Sequence, residues 1–394
     1  MSIKKFFAPF FANHLARQLH ELYSATTILD FGIALVSIFE PIYLYQNGFS
    51  LPQIIIFFVA PYVIYFFLLP LGGKFARTRG YEHSIFLGTP FLILYYISLY
   101  SVPKLPIFLP LAVISLALFK TFYWPAYRAM LARYTRNAES GRALSGLGAL
   151  SIIASIAGPI LGGAILTWFG FATLFVIAAA FILVSNVPML VTPEKFEPHD
   201  LSYRDAFRRL FRPEFFRSLV SHLGYGEEFI YQFIWPIFIL LIIPSYFNIG
   251  AMVTVASVVM LIATMVVGRV TDEHSRRATV RVGTLFTALA WVSKLLVTTP
   301  FGVLWNQSLY LVARITIGIP FVSQDSENAR EYSVMKSSVF FEMSIVLGKV
   351  LTGLIALAII SLFTPGWYPL FIFGALLTLL YGWNRKSFDL GQKT

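Results

Sequence analysis

Apolar stretches separated by short polar, glycine or proline breaks follow one another along almost the whole chain. A helix needs about 20 residues to cross the roughly 30 Å apolar core of a bilayer, where its backbone must satisfy its own hydrogen bonds. The pattern therefore predicts an all-α membrane protein with twelve membrane-spanning helices, numbered here as spans 1 to 12. Their predicted ranges are 22–46, 50–72, 83–102, 106–131, 143–168, 171–191, 224–244, 249–270, 278–298, 303–323, 338–362 and 367–384.

The composition supports a membrane protein. Of 394 residues, 57% are hydrophobic and 12% are charged, and the mean hydropathy is +0.74, whereas soluble domains carry about 25% charged residues. The apolar stretches are too long and too uniform for a β-barrel, whose strands are short and alternate in polarity. The chain has no cysteine, which excludes disulfide bonds and thiol catalysis.

Lysine and arginine are distributed unequally between the two sides of the predicted spans. Of 30 such residues, 25 lie in the terminal segments or in and around the loops on the same side, the opposite loops hold one, Lys104, and four lie deeper within spans. Because basic residues collect on the cytoplasmic side, we expect a multi-pass plasma-membrane protein with both termini in the cytoplasm, and the compact loops favour a bacterial inner membrane. The net charge of +11 thus indicates topology and not a nucleic-acid partner.

A short motif occurs twice, 195 residues apart, between two apolar stretches each time. The clear copy covers residues 268–277 (GRVTDEHSRR) and the degenerate copy covers residues 73–80 (GKFARTRG). Three further residue pairs share this offset: Pro41 and Pro236, Pro125 and Pro320, and Gly158 and Gly353. The repeat predicts two homologous six-helix halves, residues 1–191 and 223–394.

The segment 192–222 joins the two halves and carries an amphipathic pattern. Phe207, Leu210 and Phe211 form one apolar stripe, which is surrounded by arginines and ends at Pro213. We expect a cytoplasmic helix that lies on the inner leaflet with its arginines facing anionic lipid. The alternative is a charged, solvated linker.

The repeated loop resembles a family signature. Residues 268–277 are similar to the motif of the major facilitator superfamily, with Gly268, Asp272 and Arg276 at its glycine, aspartate and basic positions. The resemblance extends in topology over almost the whole chain. It implies two pseudo-symmetric six-helix bundles that rock about a central site, with spans 1, 4, 7 and 10 lining the cavity and spans 2, 5, 8 and 11 forming the seam.

Span 5 carries a second resemblance. Gly158, Pro159 and Gly162 are similar to the fifth-helix motif of the drug–proton antiporter branch. Glycines at this spacing also allow close packing of membrane helices without any role in antiport, so both interpretations stay open.

The degenerate loop departs from the family at one position, where Arg77 replaces the aspartate. At the repeat offset Arg136 corresponds to Glu331, so the opposing charge is inverted as well. We hypothesise two ion pairs that close a cytoplasmic gate; the alternative is an unpaired, lipid-facing Arg77. The hypothetical pairs are Asp272 with Arg136 or Arg142, and Arg77 with Glu331 or Glu327.

Three charges are predicted deep within spans. Asp30 lies about 12 Å into span 1, and Lys120 and Arg314 occupy nearly equivalent positions in spans 4 and 10. A charge at the bilayer centre costs about 2.5–3.5 kcal/mol. We therefore expect the three to share one water-filled chamber, where Asp30 carries a proton and the two cations suit an anionic or zwitterionic substrate. A structural salt bridge is the alternative.

Other charges within spans carry less specific expectations. Glu40 and Lys294 lie near the outer ends of their spans, where long side chains can reach the interface. Glu342 and Lys349 lie seven residues apart on span 11, and we expect them to stabilise the seam.

Span 7 and span 4 contribute further candidates. Glu227 and Glu228 lie near the inner end of span 7, and these two acids and Glu342 remain alternatives to Asp30 as the proton carrier. Trp124 and Tyr231 are among the aromatic residues that would line an apolar pocket.

The sequence favours a transporter over an enzyme. It contains no Walker loop, and its histidines lack the spacing of metal ligands. We expect a monomeric secondary active transporter without a metal or cofactor, which uses a proton gradient to export a small amphipathic or anionic molecule. The alternatives are an uptake permease, a lysophospholipid flippase and a transporter-like receptor that binds without transporting. Apart from its substrate, membrane lipids are the only expected partners.

Overall fold

The structure is a computed structural model that describes residues 14–134, 140–190, 202–273, 276–331, 334–363 and 366–383. Every regular element within these ranges is a helix, and nine segments are long and apolar enough to cross a membrane. One of them, Ile152–Leu190, holds two spans, Trp367–Trp383 is a shorter apolar segment, and Pro300–Glu331 is more polar. Counting these separately gives the twelve spans that the hydropathy pattern predicts.

The first six spans follow the predicted order. Span 2 begins with a capping box formed by Ser50 and Gln53, in which the Ser50 backbone N–H donates to the Gln53 side-chain oxygen at 2.8 Å. Gly170 has a φ of +78°, a conformation that favours glycine, and it separates span 5 from span 6. The helices are His14–Val36 and Phe39–Gln46 (span 1), Leu51–Arg79 (span 2), Tyr81–Ser101 (span 3), Phe108–Tyr134 (span 4) and Ser140–Val184 (spans 5 and 6).

The last six spans include the most irregular helix of the molecule. Span 7 begins as Phe216–Leu223 and passes through a 3-10 turn at Gly224–Gly226, one α-helical turn at Glu227–Phe229 and a π-helical turn at Ile230–Ile234 before it ends as Trp235–Ile242. The others are Tyr246–Glu273 (span 8), Arg276–Ser293 with Lys294–Leu296 (span 9), Pro300–Glu331 (span 10), Val334–Leu362 (span 11) and Trp367–Thr378 with Leu379–Trp383 (span 12).

Two prolines related by the repeat lie next to helix breaks. Pro41 follows the break at residues 37–38 in span 1, and Pro236 follows the π-helical turn in span 7. Proline has no backbone N–H, so it leaves the carbonyl four residues earlier without its helical donor. The same residue type therefore interrupts the corresponding helix of each half.

The segment between the halves contains a short helix, Tyr203–Leu210, capped by the Ser202 side chain. Its apolar face packs on span 2, because the Phe207 ring lies 5.5 Å from the ring of Phe66 and Leu210 is fully buried. Phe211 is 66% exposed. The expected stripe is therefore divided, and most of it contacts protein instead of the lipid leaflet.

The two halves approach each other closely along two pairs of spans. A Cβ atom on Gly250 of span 8 would lie 2.1 Å from the carbonyl oxygen of Pro159 in span 5. A Cβ atom on Gly353 of span 11 would lie 2.2 Å from the side chain of Val59 in span 2. Spans 5 and 8, and spans 2 and 11, thus form contacts at the seam that the family resemblance implies.

The glycines of the span 5 motif have a packing role in this structure. Cβ atoms on Gly158 and Gly162 would lie 2.5 Å from the Ala34 side chain and 2.0 Å from the Leu35 carbonyl oxygen. Both glycines therefore face span 1 within the first half, whereas Pro159 faces the seam.

Candidate functional site

Two connected cavities lie between the halves. The larger cavity has a volume of about 420 Å³ and the charged cavity about 220 Å³, and together they are within the usual size range for small-molecule sites. The larger cavity is lined chiefly by aromatic and aliphatic side chains, and its polar members other than tyrosines are Ser37, Glu40, Lys120, Gln232 and Gln307. Four residues border both cavities: Tyr62, Lys120, Trp124 and Gln232.

Glu228 is the acidic residue of span 7 that faces the charged cavity. The Nζ atom of Lys349 lies 2.9 Å from one of its carboxylate oxygens, and Arg314 pairs with the other. Glu228 follows the 3-10 turn of span 7 by two residues, so the irregular helix places its side chain against spans 10 and 11. One carboxylate therefore holds two cations at the cavity wall.

Glu227 lies behind this wall and is completely buried. Its carboxylate accepts hydrogen bonds from the Trp291 indole at 2.9 Å and the Tyr310 hydroxyl at 2.7 Å. The Nε atom of Arg314 lies 3.0 Å from the other oxygen. These partners offset the cost of burying the charge and fix the Arg314 guanidinium between two acids.

Arg128 of span 4 faces the charged cavity from the first half. It pairs with Glu342 of span 11, and the Tyr65 hydroxyl of span 2 donates to the same carboxylate at 3.0 Å. The Arg128 guanidinium also lies 4.4 Å from the ring centroid of Phe341. This cluster connects the two halves.

Lys120 occupies the junction of the two cavities. Its Nζ atom lies 4.7 Å from the ring centroid of Tyr62, and the Nζ atom of Lys349 lies 5.5 Å from the same ring. Among the residues that the structure describes, no carboxylate lies within ion-pair distance of Lys120. The Lys120 ammonium is thus half-buried beside an aromatic face.

The polar wall of the larger cavity is a hydrogen-bonded chain. The Trp235 indole donates to the Gln307 side-chain oxygen at 2.8 Å, and the Gln307 amide donates to the Tyr231 hydroxyl at 2.5 Å. This chain joins span 7 to span 10 and presents fixed polar groups to an otherwise apolar space.

A buried acid and a buried base lie close to this wall. Glu40 is 8% exposed, and its two carboxylate oxygens accept hydrogen bonds from the hydroxyls of Tyr95 at 2.8 Å and Tyr96 at 3.1 Å. Lys294 is fully buried, donates to the Asn306 side-chain oxygen at 2.7 Å and lies 3.4 Å from the Trp235 ring centroid.

The whole-chain comparisons agree with this architecture. The profile of the family described as Major Facilitator Superfamily matches residues 22–323 of the 394. The chain belongs to the major facilitator superfamily. It is a multi-pass membrane protein of a transporter family whose members bind small-molecule substrates.

The chain is also similar to two individual proteins. It is 25% identical over 190 residues to the "Multi-drug resistance efflux pump PmrA homolog" of Lactococcus lactis subsp. lactis (strain IL1403), a match that covers 45% of this chain and 47% of that protein. The chain thus spans about half the length of that curated relative. The crystal structure of a D-xylose–proton symporter has the same fold, with a TM-score of 0.65, 12% identity and coverage of 92% of this chain and 96% of that chain.

The expected chamber of three deep charges is not what this superfamily member contains. Lys120 borders both cavities, but Arg314 lies behind Glu228 and is held by acids. Asp30 is half-buried, acts electrostatically on Tyr123 and is not among the described residues that line either cavity. Asp30 also acts electrostatically on Tyr127, so both recorded electrostatic partners belong to span 4.

The expectation that Glu40 and Lys294 extend toward water is wrong, because both side chains are buried within the protein. Hydroxyl groups from span 3 and the Asn306 amide from span 10 supply local partners, so neither side chain needs to extend toward water. Glu227, expected near the inner end of span 7, is likewise fully buried.

Glu342 and Lys349 both lie on the face of span 11 that borders the charged cavity. Glu342 joins the halves through Arg128 and Tyr65. Lys349 differs, because its partner Glu228 belongs to the same half.

The gate hypothesis falls largely on parts that the structure does not describe. Arg136 lies outside the described residues, and only the backbone is described for the other residues of the hypothesis, namely Arg142, Gly268, Asp272, Arg276, Glu327 and Glu331. Arg77 is described and is 7% exposed near the end of span 2. The hypothesis stays a prediction.

Arg128 is not among the site residues expected from the sequence, because its position near the loop after span 4 suggests a topological role. The spacing contains a signal, because Lys120, Trp124 and Arg128 are four residues apart and share one helix face. All three border the charged cavity.

Proposed function

We propose that this protein is a secondary active transporter that couples proton movement to the export of a small amphipathic or anionic molecule by alternating access. The observation that carries the proposal is Glu228, a carboxylate at the cavity wall that holds both Arg314 and Lys349. Protonation of Glu228 would break its ion pair with Lys349 at the cavity and leave Arg314 paired with Glu227, and deprotonation would restore both contacts. This acid therefore replaces Asp30 as the proposed proton carrier.

The two relatives support coupled transport but differ in direction. One is named as an efflux pump and the other as a proton symporter. The name of the efflux pump and the resemblance in span 5 favour export. Uptake by symport is the second candidate, because the symporter shares the fold over most of both chains. A plasma-membrane location with cytoplasmic termini belongs to the same proposal, since 25 of 30 basic residues share one predicted side. A monomeric state belongs to it because transporters of this superfamily typically work as monomers.

The test uses proteoliposomes that contain the full-length protein and a trapped pH-sensitive dye, with the membrane potential clamped by potassium and valinomycin. Phenylbutane sulfonate, phenylbutyl trimethylammonium, phenylbutanol and a lysophospholipid are added outside in separate experiments. A proton antiporter moves protons out as substrate enters, so the lumen becomes alkaline. A symporter acidifies the lumen.

Radiolabel counterflow with the same compounds separates the remaining alternatives. Exchange without a lumenal pH change would contradict proton coupling. Saturable binding without exchange would indicate a receptor, and exchange confined to the lysophospholipid would indicate a flippase. Protein-free liposomes provide the control for passive permeation.

A further inference from the structure

The two cavities separate charge from apolar surface. The larger cavity is walled mostly by apolar and aromatic side chains, including Leu92, Leu116 and Phe119. The charged cavity contains two acids and three bases within about half that volume. A single ligand that occupies both spaces must therefore be amphipathic, with its head group near the shared border.

Most charges in the charged cavity already neutralise one another. Arg128 pairs with Glu342, and Lys349 pairs with Glu228. Lys120 is the remaining charged group on the lining, and in the described parts of the chain its nearest recorded partner is the Tyr62 ring. The ammonium group of a lysine has three N–H donors. The face of an aromatic ring attracts the positive charge but offers no lone pair that could accept a hydrogen bond.

The acid of the larger cavity does not offer a comparable site for a cation. Both oxygens of Glu40 already accept tyrosine hydroxyls, and Lys120 acts on this carboxylate electrostatically. The side chain is 8% exposed. The charged group at the border that can still bind a ligand is therefore the cation Lys120.

We propose that Lys120 binds the anionic head group of an amphiphile whose apolar body fills the larger cavity. Tyr62 and Trp124 border both cavities and flank this position, and Gln232 adds an amide from the second half. A ligand held in this way contacts span 4 of one half and span 7 of the other. The inference rests on the proposed function, because it names the substrate class of that site.

The chemistry requires one anionic group on an apolar body, which a free organic anion or a lipid with a phosphate head group can supply. The arms of the experiment distinguish these sources. Phenylbutane sulfonate represents the free anion and a lysophosphatidic acid represents the lipid. Phenylbutyl trimethylammonium and phenylbutanol share the body of the first probe but are cationic and neutral.

Binding is measured by titration calorimetry on the full-length protein in phosphatidylcholine nanodiscs, where no transport occurs. We expect at least one anionic probe to bind about tenfold more tightly than phenylbutanol, because a charge-assisted hydrogen bond in a desolvated site is worth that factor. The cationic probe should bind no better than the alcohol.

Two variants and a matched control locate the effect. Lys120→Gln should abolish the preference for the anion, and Lys120→Arg should keep it because the charge remains. Lys104→Gln is the control, since Lys104 also lies over a tyrosine ring, at 4.3 Å from Tyr100, but is exposed and lies outside both cavities. It should bind like the wild type.

Either of two results overturns the inference: no anionic probe binds the wild type more tightly than phenylbutanol, or Lys120→Gln retains the anion preference. A wild-type preference for the anion that depends on Lys120 supports it even if counterflow fails. Such a failure would count against transport alone, so the two proposals are tested separately.

Discussion

Arg128 of span 4 and Glu342 of span 11 form an ion pair that crosses the boundary between the two six-helix halves. Tyr65 of span 2 donates to the same carboxylate, so one acid of the second half is held by two residues of the first. Alternating access requires the halves to rotate relative to each other. These bonds join the two bodies that must move, and we expect them to break and form during each transport cycle.

Exchanging the two charges tests this relationship. Arg128→Glu alone places two carboxylates together, and we expect a lower apparent Tm and a large loss of counterflow, because an uncompensated charge in a mostly buried site costs about 3–5 kcal/mol. Arg128→Glu combined with Glu342→Arg should recover part of both.

The matched control is Arg212→Glu, which reverses the charge of a pair with Glu214 whose side chains are 60% and 61% exposed. Exposed pairs contribute about 0–1 kcal/mol, so this variant should resemble the wild type. A double variant no better than Arg128→Glu would show that the pairing is unimportant.

Replacing Glu228 should separate exchange from proton coupling. In Glu228→Gln the side chain keeps its shape but cannot change charge, so we expect counterflow to persist while an imposed pH gradient no longer drives accumulation. Glu214→Gln, at an exposed site, should retain both. Apparent Tm values measured in parallel report any destabilisation caused by the cations left at this position.

Asp30→Asn distinguishes the two candidate proton carriers. With Glu228 as the carrier, Asp30→Asn should still accumulate substrate in response to a pH gradient. If Asp30→Asn loses the gradient response while Glu228→Gln keeps it, the assignment is reversed.

The span pattern could be predicted because it depends on local hydropathy. The apolar pattern predicts that span 5 ends at residue 168 and span 6 begins at residue 171, and a φ of +78° at Gly170 provides the break between them. These features depend on residues that are close in sequence. Each apolar stretch must also be helical, because lipid offers no hydrogen-bond partners for its backbone groups.

The charge contacts could not be predicted in the same way. Spacing places Lys120, Trp124 and Arg128 on one face of span 4, but which residue meets them depends on the rotation of span 11 and on how the halves dock. Lys294 illustrates the difficulty, because its partners Asn306 and Trp235 come from two other spans. A single sequence carries little information on such long-range contacts.

The close contact of Gly250 at the seam leaves no space for an added methyl group. In Gly250→Ala the new Cβ atom would lie 2.1 Å from the Pro159 carbonyl oxygen, so spans 5 and 8 must separate. We expect overpacking to cost about 1–3 kcal/mol and to slow counterflow. Gly318→Ala is the control, because nothing lies within 4 Å of its Cβ position. Equal behaviour of the two variants in apparent Tm and counterflow would contradict the close seam.

The inverted gate can be tested by charge exchange even though the Glu331 side chain lies outside the described residues. Arg77 is 7% exposed, and a buried guanidinium requires compensation by acceptors. Arg77→Glu should therefore impair counterflow, and Arg77→Glu with Glu331→Arg should restore part of it.

The control for the gate is Arg79→Glu, which makes the same charge change two residues away at an exposed position and should have little effect. A double variant as impaired as Arg77→Glu would contradict the pairing of Arg77 with Glu331. The same charge exchange with Glu327 would then test the neighbouring acid. Rescue by either acid would indicate that the gate of this chain uses an ion pair whose two charges are exchanged. The Coulomb energy of an ion pair is unchanged when both charges reverse sign.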